Sequence, residues 1–416
     1  MTSIRLSSAV LATALSGLLA ACGSGSNNSG TTTLVEPPAL VGTVTKSALG
    51  VATAPCDVNV VALNYTTPGA KANETSNASA GLLVPTGTAD ACKGPFPIIA
   101  YGRGTAVAPK SRTMASTSDA EMLGLAAMFA SQGYMVVATD YLGYAKSAYP
   151  FHPYLHADSE ATAVIDSIRA ARLYALSNNI ATSGKVMLYG YSQGGHTSLA
   201  TQKAIETSSA LAGEIRIAAA GHGASPSALG VALRSGAEIL GGQYFIPFLV
   251  TAWQKVYGDV YTAPIDVFTT AYASTIEGLM PAADPAALAV LPQAPIGYTA
   301  TLFQSSFTPA LQAGTSGVIK AAQRNDLVNS GWNPSSPTRF CAGSQDPTVL
   351  WASSTQLALA KWGGLPNVSS LDADPAVQAL AVSRGLTPTQ TIAQYHGSLA
   401  PAVCLQDMLA FFNARR

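Results

Sequence analysis

The hexapeptide Gly190-Tyr191-Ser192-Gln193-Gly194-Gly195 constrains this chain more than any other stretch. It follows the apolar run Val186-Met187-Leu188-Tyr189 and opens the helix-compatible Thr197-Ser198-Leu199-Ala200. The pattern predicts a strand, a sharp turn and a helix, with a serine at the turn. Such a turn forces Ser192 into a strained backbone, and Gly190, Gly194 and Gly195 are needed where side chains would collide with the neighbouring strand and helix. A bare Gly-x-Ser-x-Gly arises often by chance, and a structural glycine turn is the plainer reading. An acid and a histidine downstream, in that order, favour a nucleophile elbow.

The flanking sequence tells what surrounds the turn. Residues from about 41 to 85 contain alternating stretches, Val58-Asn59-Val60-Val61-Ala62-Leu63-Asn64-Tyr65 and Ala80-Gly81-Leu82-Leu83-Val84, that read as antiparallel strands. Strands and helices then alternate: Pro97-Ile98-Ile99-Ala100-Tyr101, a helix over about 119–131, Tyr134-Met135-Val136-Val137-Ala138-Thr139, a helix over about 159–176, the elbow, and Ile215-Arg216-Ile217-Ala218-Ala219-Ala220. This predicts an α/β fold with a mostly parallel sheet and helices on both faces. Residues 225–330 lose the alternation; aromatic residues broken by Pro247, Pro264, Pro281 and Pro285 suggest an inserted helical cap over the strand ends. The pattern resumes with a strand at Thr338-Arg339-Phe340-Cys341, a helix near 353–361, a strand near 389–394 and a last helix over about 401–413. The catalytic domain is thus expected in two pieces, 41–224 and 331–416.

Arg5, the apolar stretch 9–19 and Leu19-Ala20-Ala21-Cys22 fit an export signal over residues 1–21, too short to span a membrane. Leu-Ala-Ala-Cys resembles a bacterial lipoprotein box, which implies lipidation of Cys22 and a membrane tether without a crossing. An ordinary secretion signal is the alternative. Gly23 behind the cysteine favours the outer membrane in a Gram-negative host. Residues 22–40, rich in glycine, serine and threonine, read as a flexible tether. Cys56, Cys92, Cys341 and Cys404 remain, an even number in an exported chain, so two disulfides are expected. Of three connectivities, proximity favours Cys56–Cys92 and Cys341–Cys404. Formal net charge is zero with 11% charged residues, which leaves no electrostatic footprint for nucleic acid. No metal-ligand spacing occurs, and neither metal nor cofactor is expected.

A serine hydroxyl needs a base within hydrogen-bond reach and a third group to orient that base. Of the five histidines, His396 alone follows a suitable acid, in the turn Tyr395-His396-Gly397, and is the expected base. His196 is expected to pack, His222 to end a strand near enough to the site to line it, and His152 and His156 to be structural. Asp346, in Gly343-Ser344-Gln345-Asp346-Pro347, is the expected acid, with Asp372 and Asp374 as fallbacks. The backbone N–H groups of Gln193 and of Thr105, in Tyr101-Gly102-Arg103-Gly104-Thr105, are the expected oxyanion donors; for the latter a simple glycine loop is the alternative. Asp140 reads as structural.

Together the Gly102-Arg103-Gly104-Thr105 turn, Asp140-Tyr141-Leu142-Gly143, His152-Pro153-Tyr154-Leu155, Arg169-Ala170-Ala171-Arg172, the elbow, Gln345-Asp346-Pro347 and Tyr395-His396 resemble the secretory lipase family of α/β-hydrolases. The resemblance implies an α/β-hydrolase fold with a helical cap, a Ser192, Asp346 and His396 triad, and hydrolysis of carboxylic esters including acylglycerols; the acyl transfer to water needs no cofactor, and a monomer is expected. Arg103 departs from the family, where many members have histidine. Two rival readings are a serine peptidase of the prolyl-oligopeptidase type and a non-catalytic envelope lipoprotein that binds apolar ligands.

Overall fold

The computed structural model describes residues 32–51, 53–236 and 238–416. The expected signal, Cys22 and the start of the tether lie outside the described residues. Among the described residues nine strands form one sheet in the order β1-β2-β3-β5-β4-β6-β7-β8-β9. β1 (Ala39–Val44), β2 (Asp57–Pro68) and β3 (Thr75–Thr86) pair antiparallel at one edge, and β3 joins β5 (Met135–Tyr141) antiparallel. From β5 onward the strands run parallel: β4 (Phe96–Gly102), β6 (Thr182–Gly190), β7 (Arg216–Gly223), β8 (Thr338–Ala342) and β9 (Val368–Asp372).

Every residue of β4 and β5 is buried, as expected for central strands covered on both faces. Side chains alternate between the two faces. Ile99, Tyr101, Val136, Ala138, Met187 and Tyr189 share one core, which includes Leu125 of α1 (Ala120–Met128) and Met408 and Phe412 of the last helix. Their neighbours Ile98, Ala100, Met135, Val137, Val186 and Leu188 share the opposite core with Val164, Ile165 and Ile168 of α2 (Ala157–Ser177). The elbow helix α3 (Gln193–Thr207) and the short α4 (Ser209–Glu214) connect β6 to β7.

Between β7 and β8 the chain leaves the sheet for α5 (Leu229–Ser235), α6 (Gly242–Tyr257), α7 (Thr270–Ala273), α8 (Ile276–Leu279), α9 (Tyr298–Leu302), α10 (Phe307–Ala313) and α11 (Gly317–Arg324). These helices bury a core of their own, with Phe248, Trp253, Phe268, Phe303 and Leu311 inside it. After β8 come α12 (Thr355–Trp362), β9 and α13 (Asp374–Ser383).

The tail differs from the sequence expectation. The strand expected near 389–394 is a helix, α14 (Pro388–Gln394), and the true last strand is β9. The helix wins because Thr387 caps it: its hydroxyl accepts from Gln390 N–H while the Gln390 side chain reaches back, and Pro388 fits the first turn. A π-turn, Tyr395–Leu399, then runs directly into α15 (Ala400–Asn413). Both favoured disulfides are present, Cys56–Cys92 and Cys341–Cys404.

Candidate active site

Ser192 adopts φ 60° and ψ −120°, a left-handed conformation for a residue with a side chain. Such strain costs of order 1–3 kcal/mol and persists only where the surroundings impose it. They do so here through backbone contact. A Cβ on Gly190 would lie 2.1 Å from the Gly194 carbonyl oxygen, and one on Gly194 would lie 1.9 Å from that of Gly102. Ser192 N–H donates to Gly223 O at 2.9 Å, which ties the turn to β7.

His396, carried by the π-turn, places Nε2 2.8 Å from Ser192 Oγ and Nδ1 2.7 Å from Asp346 Oδ2. With a carboxylate on Nδ1, the imidazole donates there and accepts the serine hydroxyl at Nε2. Asp346 is buried, and its other oxygen accepts from Thr348 N–H at 2.9 Å and Val349 N–H at 3.1 Å. The Tyr191 ring packs 5.2 Å from the imidazole. Burial and the nearby Asp346 carboxylate push the Tyr191 phenol well above its ordinary pKa.

The fallback acids lie elsewhere: Asp372 accepts from Ser344 N–H, and Asp374 accepts from the Tyr395 hydroxyl. His196 packs against Glu160, Nδ1 to Oε2 2.9 Å. His222 does not appear among the residues lining the pocket described below. It is buried between Ser198 Oγ and Gln202 Oε1, both at 2.8 Å, and burial pulls its pKa to about 3. His152 is buried too, its pKa pulled to about 4 chiefly by burial. His156 caps α2 by accepting from Ser159 N–H.

Gln193 begins α3, so its N–H has no partner inside the helix. The β4 turn lies against the elbow. There the Gly104 N–H donates to Glu121 Oε1 at 2.8 Å, and the Thr105 hydroxyl lies 3.0 Å from the Tyr154 hydroxyl. Arg103 is fully buried, over the Tyr144 ring and 3.7 Å from Asp140 Oδ1. Asp140 also accepts from Ser79, Thr113 and Met114 N–H, a knot that pins β3 and the 113–114 loop to the end of β5.

Ser192 opens into a pocket with about 710 Å³ of empty space, solvent-open parts included, lined among others by Leu155, Leu229, Leu233, Ile246 and Leu249. Six of its lining residues, Leu229, Ala232, Leu233, Phe245, Ile246 and Leu249, come from α5 and α6. Among the described residues no group of His, Cys, Asp and Glu could hold a metal ion, and no helix is long and apolar enough to cross a membrane.

A strand-turn-helix serine at the end of a central parallel strand, an acid after a later strand and a histidine near the C-terminus define an α/β-hydrolase. The model of the secretory lipase family matches residues 108–283. The rice cell wall degrading esterase LipA from Xanthomonas oryzae, in its ligand-bound form, superposes with a TM-score of 0.80 at 31% identity, over 92% of this chain and 98% of that one. Candida antarctica lipase A in its closed state shares the fold, with a TM-score of 0.55 at 17% identity over 89% of this chain and 90% of that one. A hydrolase from Legionella pneumophila also shares it, at 19% identity with a TM-score of 0.74, over 91% and 97%. No curated protein matches the sequence. The chain belongs to the secretory lipase family of α/β-hydrolases and is a carboxylic ester hydrolase.

Proposed function

We propose that Ser192, His396 and Asp346 form the catalytic triad of an esterase or lipase that acts on esters with an apolar acyl or alcohol part. The observation that carries this is the unbroken chain from Ser192 Oγ through His396 to Asp346 at the floor of an apolar pocket. Ser192 Oγ attacks the ester carbonyl as its proton passes to His396 Nε2. The imidazolium so formed faces the Asp346 carboxylate, which two backbone N–H groups hold in place. The tetrahedral oxyanion is met by the N–H groups of Gln193 and Thr105. Collapse breaks the ester C–O bond, and His396 returns its proton to the leaving alcohol. Water then repeats the sequence on the acyl-enzyme and frees the acid. Residues 225–330 act as the cap, and their apolar side chains take the hydrocarbon part of the substrate.

Export and attachment through Cys22 belong to the same reading, supported by Leu19-Ala20-Ala21-Cys22. Mass spectrometry of the N-terminal peptide from cells would detect the lipid.

The test is hydrolysis of p-nitrophenyl esters from acetate to palmitate by the purified full chain, with Ser192→Ala as the blank. Serine-dependent turnover is expected. A folded protein that hydrolyses none of the series, or a Ser192→Ala variant as active as its parent, refutes the reading.

A further inference from the structure

Glu160 lies in the first turn of α2, 1% exposed, behind the elbow rather than in the pocket. Four polar partners converge on it. Oε1 accepts from Leu155 N–H at 3.0 Å and Gln193 Nε2 at 2.7 Å. Oε2 lies 2.9 Å from His196 Nδ1 and accepts from the Thr197 hydroxyl at 2.8 Å. Both oxygens are thus engaged, and a buried polar group held by four partners is costly to disturb.

The partners are not equivalent. Gln193 supplies the first N–H after the nucleophile. Its side-chain amide is clamped between Glu160 and His152 Nε2, also at 2.7 Å, while His152 Nδ1 donates to Leu142 O at 2.9 Å. Leu155 is a wall of the pocket and sits at φ 51°, strained for a branched residue. Its N–H is held by the same oxygen that holds Gln193. One carboxylate therefore fixes both the N-terminus of the elbow helix and a wall of the pocket.

We propose, resting on the reading of Ser192 as the nucleophile, that Glu160 is the positioning residue that sets the oxyanion donor and the acyl-binding wall in register. It touches no substrate. Its effect is exerted through Gln193 on the rate of the chemical step and through Leu155 on the preferred chain length.

Two substitutions give opposite expectations. Glu160→Ala removes all four bonds; kcat on p-nitrophenyl acetate is expected to fall at least about tenfold while KM changes less, since displacing a catalytic group by a fraction of an ångström weakens the transition state more than the ground state. The chain-length optimum is expected to move as well. Glu160→Gln is expected to restore kcat to within about threefold of the parent and to restore the optimum. Its amide oxygen can keep Leu155 and Gln193, while its NH2 turns to Thr197, whose hydroxyl rotates, and to His196 Nδ1, which accepts when the ring proton sits on Nε2 facing Asn325 O. A folded Glu160→Ala protein with the parent's kcat and optimum overturns the proposal, as does a Glu160→Gln protein no better than Glu160→Ala.

Should Glu160→Ala not fold, Gln193→Met cuts only the arm to the elbow. A fall of about tenfold in kcat with the optimum unmoved is then expected, and unchanged kcat overturns the proposal. Labelling by a fluorophosphonate separates the two layers. A parent protein that neither turns over ester nor labels at Ser192 sinks the triad and this proposal together. A parent that labels, beside variants that behave like it, sinks only the role of Glu160.

Discussion

His222 makes a quantitative prediction about acid sensitivity. It is sealed in the core between β7 and α3, where burial alone lowers its pKa from 6.5 to about 3. The unfolded chain takes up a proton at this imidazole near pH 6.5, and the folded chain only near 3. Between those values the unfolded state binds more protons, so stability falls as pH falls, by about 1.4 kcal/mol per pH unit once well below 6.5. Integrated from about pH 7.5 to about pH 5, this one group removes about 2 kcal/mol. Other groups titrate too: His152 acts in the same direction, whereas the raised pKa of buried Asp140 opposes it. The comparison is therefore between the parent and His222→Gln, which can still meet Gln202 but carries no titrating ring. Guanidinium unfolding of both at the two pH values is the assay. The parent is expected to lose about 2 kcal/mol more than the variant on acidification, whatever their difference at neutral pH. Losses equal within about 0.5 kcal/mol would mean that the folded protein protonates this site as readily as water does, and would refute the argument from desolvation.

Three further outcomes follow from the geometry. Removing the Cys341–Cys404 bridge, which spans 63 residues, is expected to lower stability by about 4 kcal/mol on the chain-entropy model and also to lower kcat, because it ties β8, which leads to Asp346, to the helix that follows His396; removing Cys56–Cys92 should lower stability alone, and denaturation with ester kinetics on the paired alanine variants checks both. Gly194→Ala, which drives a Cβ to 1.9 Å from Gly102 O, is expected to abolish ester hydrolysis and cost more than about 3 kcal/mol, while Gly397→Ala, with open space at its Cβ, should leave thermal stability and kcat close to the parent's. Ala232→Trp on α5, at the pocket wall, is expected to lower kcat/KM for p-nitrophenyl palmitate at least about tenfold and leave acetate nearly unchanged; an unshifted chain-length profile would place the acyl chain elsewhere.

The elbow was readable in the sequence because its constraints are local. Backbone packs on backbone at Gly190 and Gly194, no other residue fits, and the glycines therefore stand in the chain as visible punctuation. The strands of the sheet centre were readable for a similar reason, since burial on both faces leaves unbroken apolar runs. The edge hid itself: Val368-Ser369-Ser370-Leu371-Asp372 is half exposed and carries too little hydrophobic pattern to announce a strand. At 389–394 the β-branched Thr389, Thr391 and Ile392 suit a strand, although the cap at Thr387-Pro388 specifies a helix. Glu160 could not have been found. Its partners stand 5, 33, 36 and 37 residues away, and an acid in an amphipathic helix has the same appearance whether it faces water or four buried partners.

The β7–β8 insertion is not a separable lid in this architecture, and the reason lies where it is fastened. Leu240, between α5 and α6, donates to Pro347 O and accepts from the Thr348 hydroxyl, both at 3.0 Å, and Thr348 N–H is one of the two groups that hold Asp346. At the other end, Asn325, just after α11, offers its carbonyl to His196 Nε2 at 3.2 Å and its side-chain oxygen to Ala157 N–H at 2.9 Å, one turn from Glu160. One fastening thus ends on the loop that carries Asp346 and the other on the network behind Gln193. Motion of α5 or α6 large enough to reshape the pocket must strain one of these attachments. Substitutions that displace the backbone at Leu240 or Asn325 should therefore lower kcat on every ester, whereas a side-chain change that leaves both attachments in place, such as Ala232→Trp, should alter chain-length preference alone.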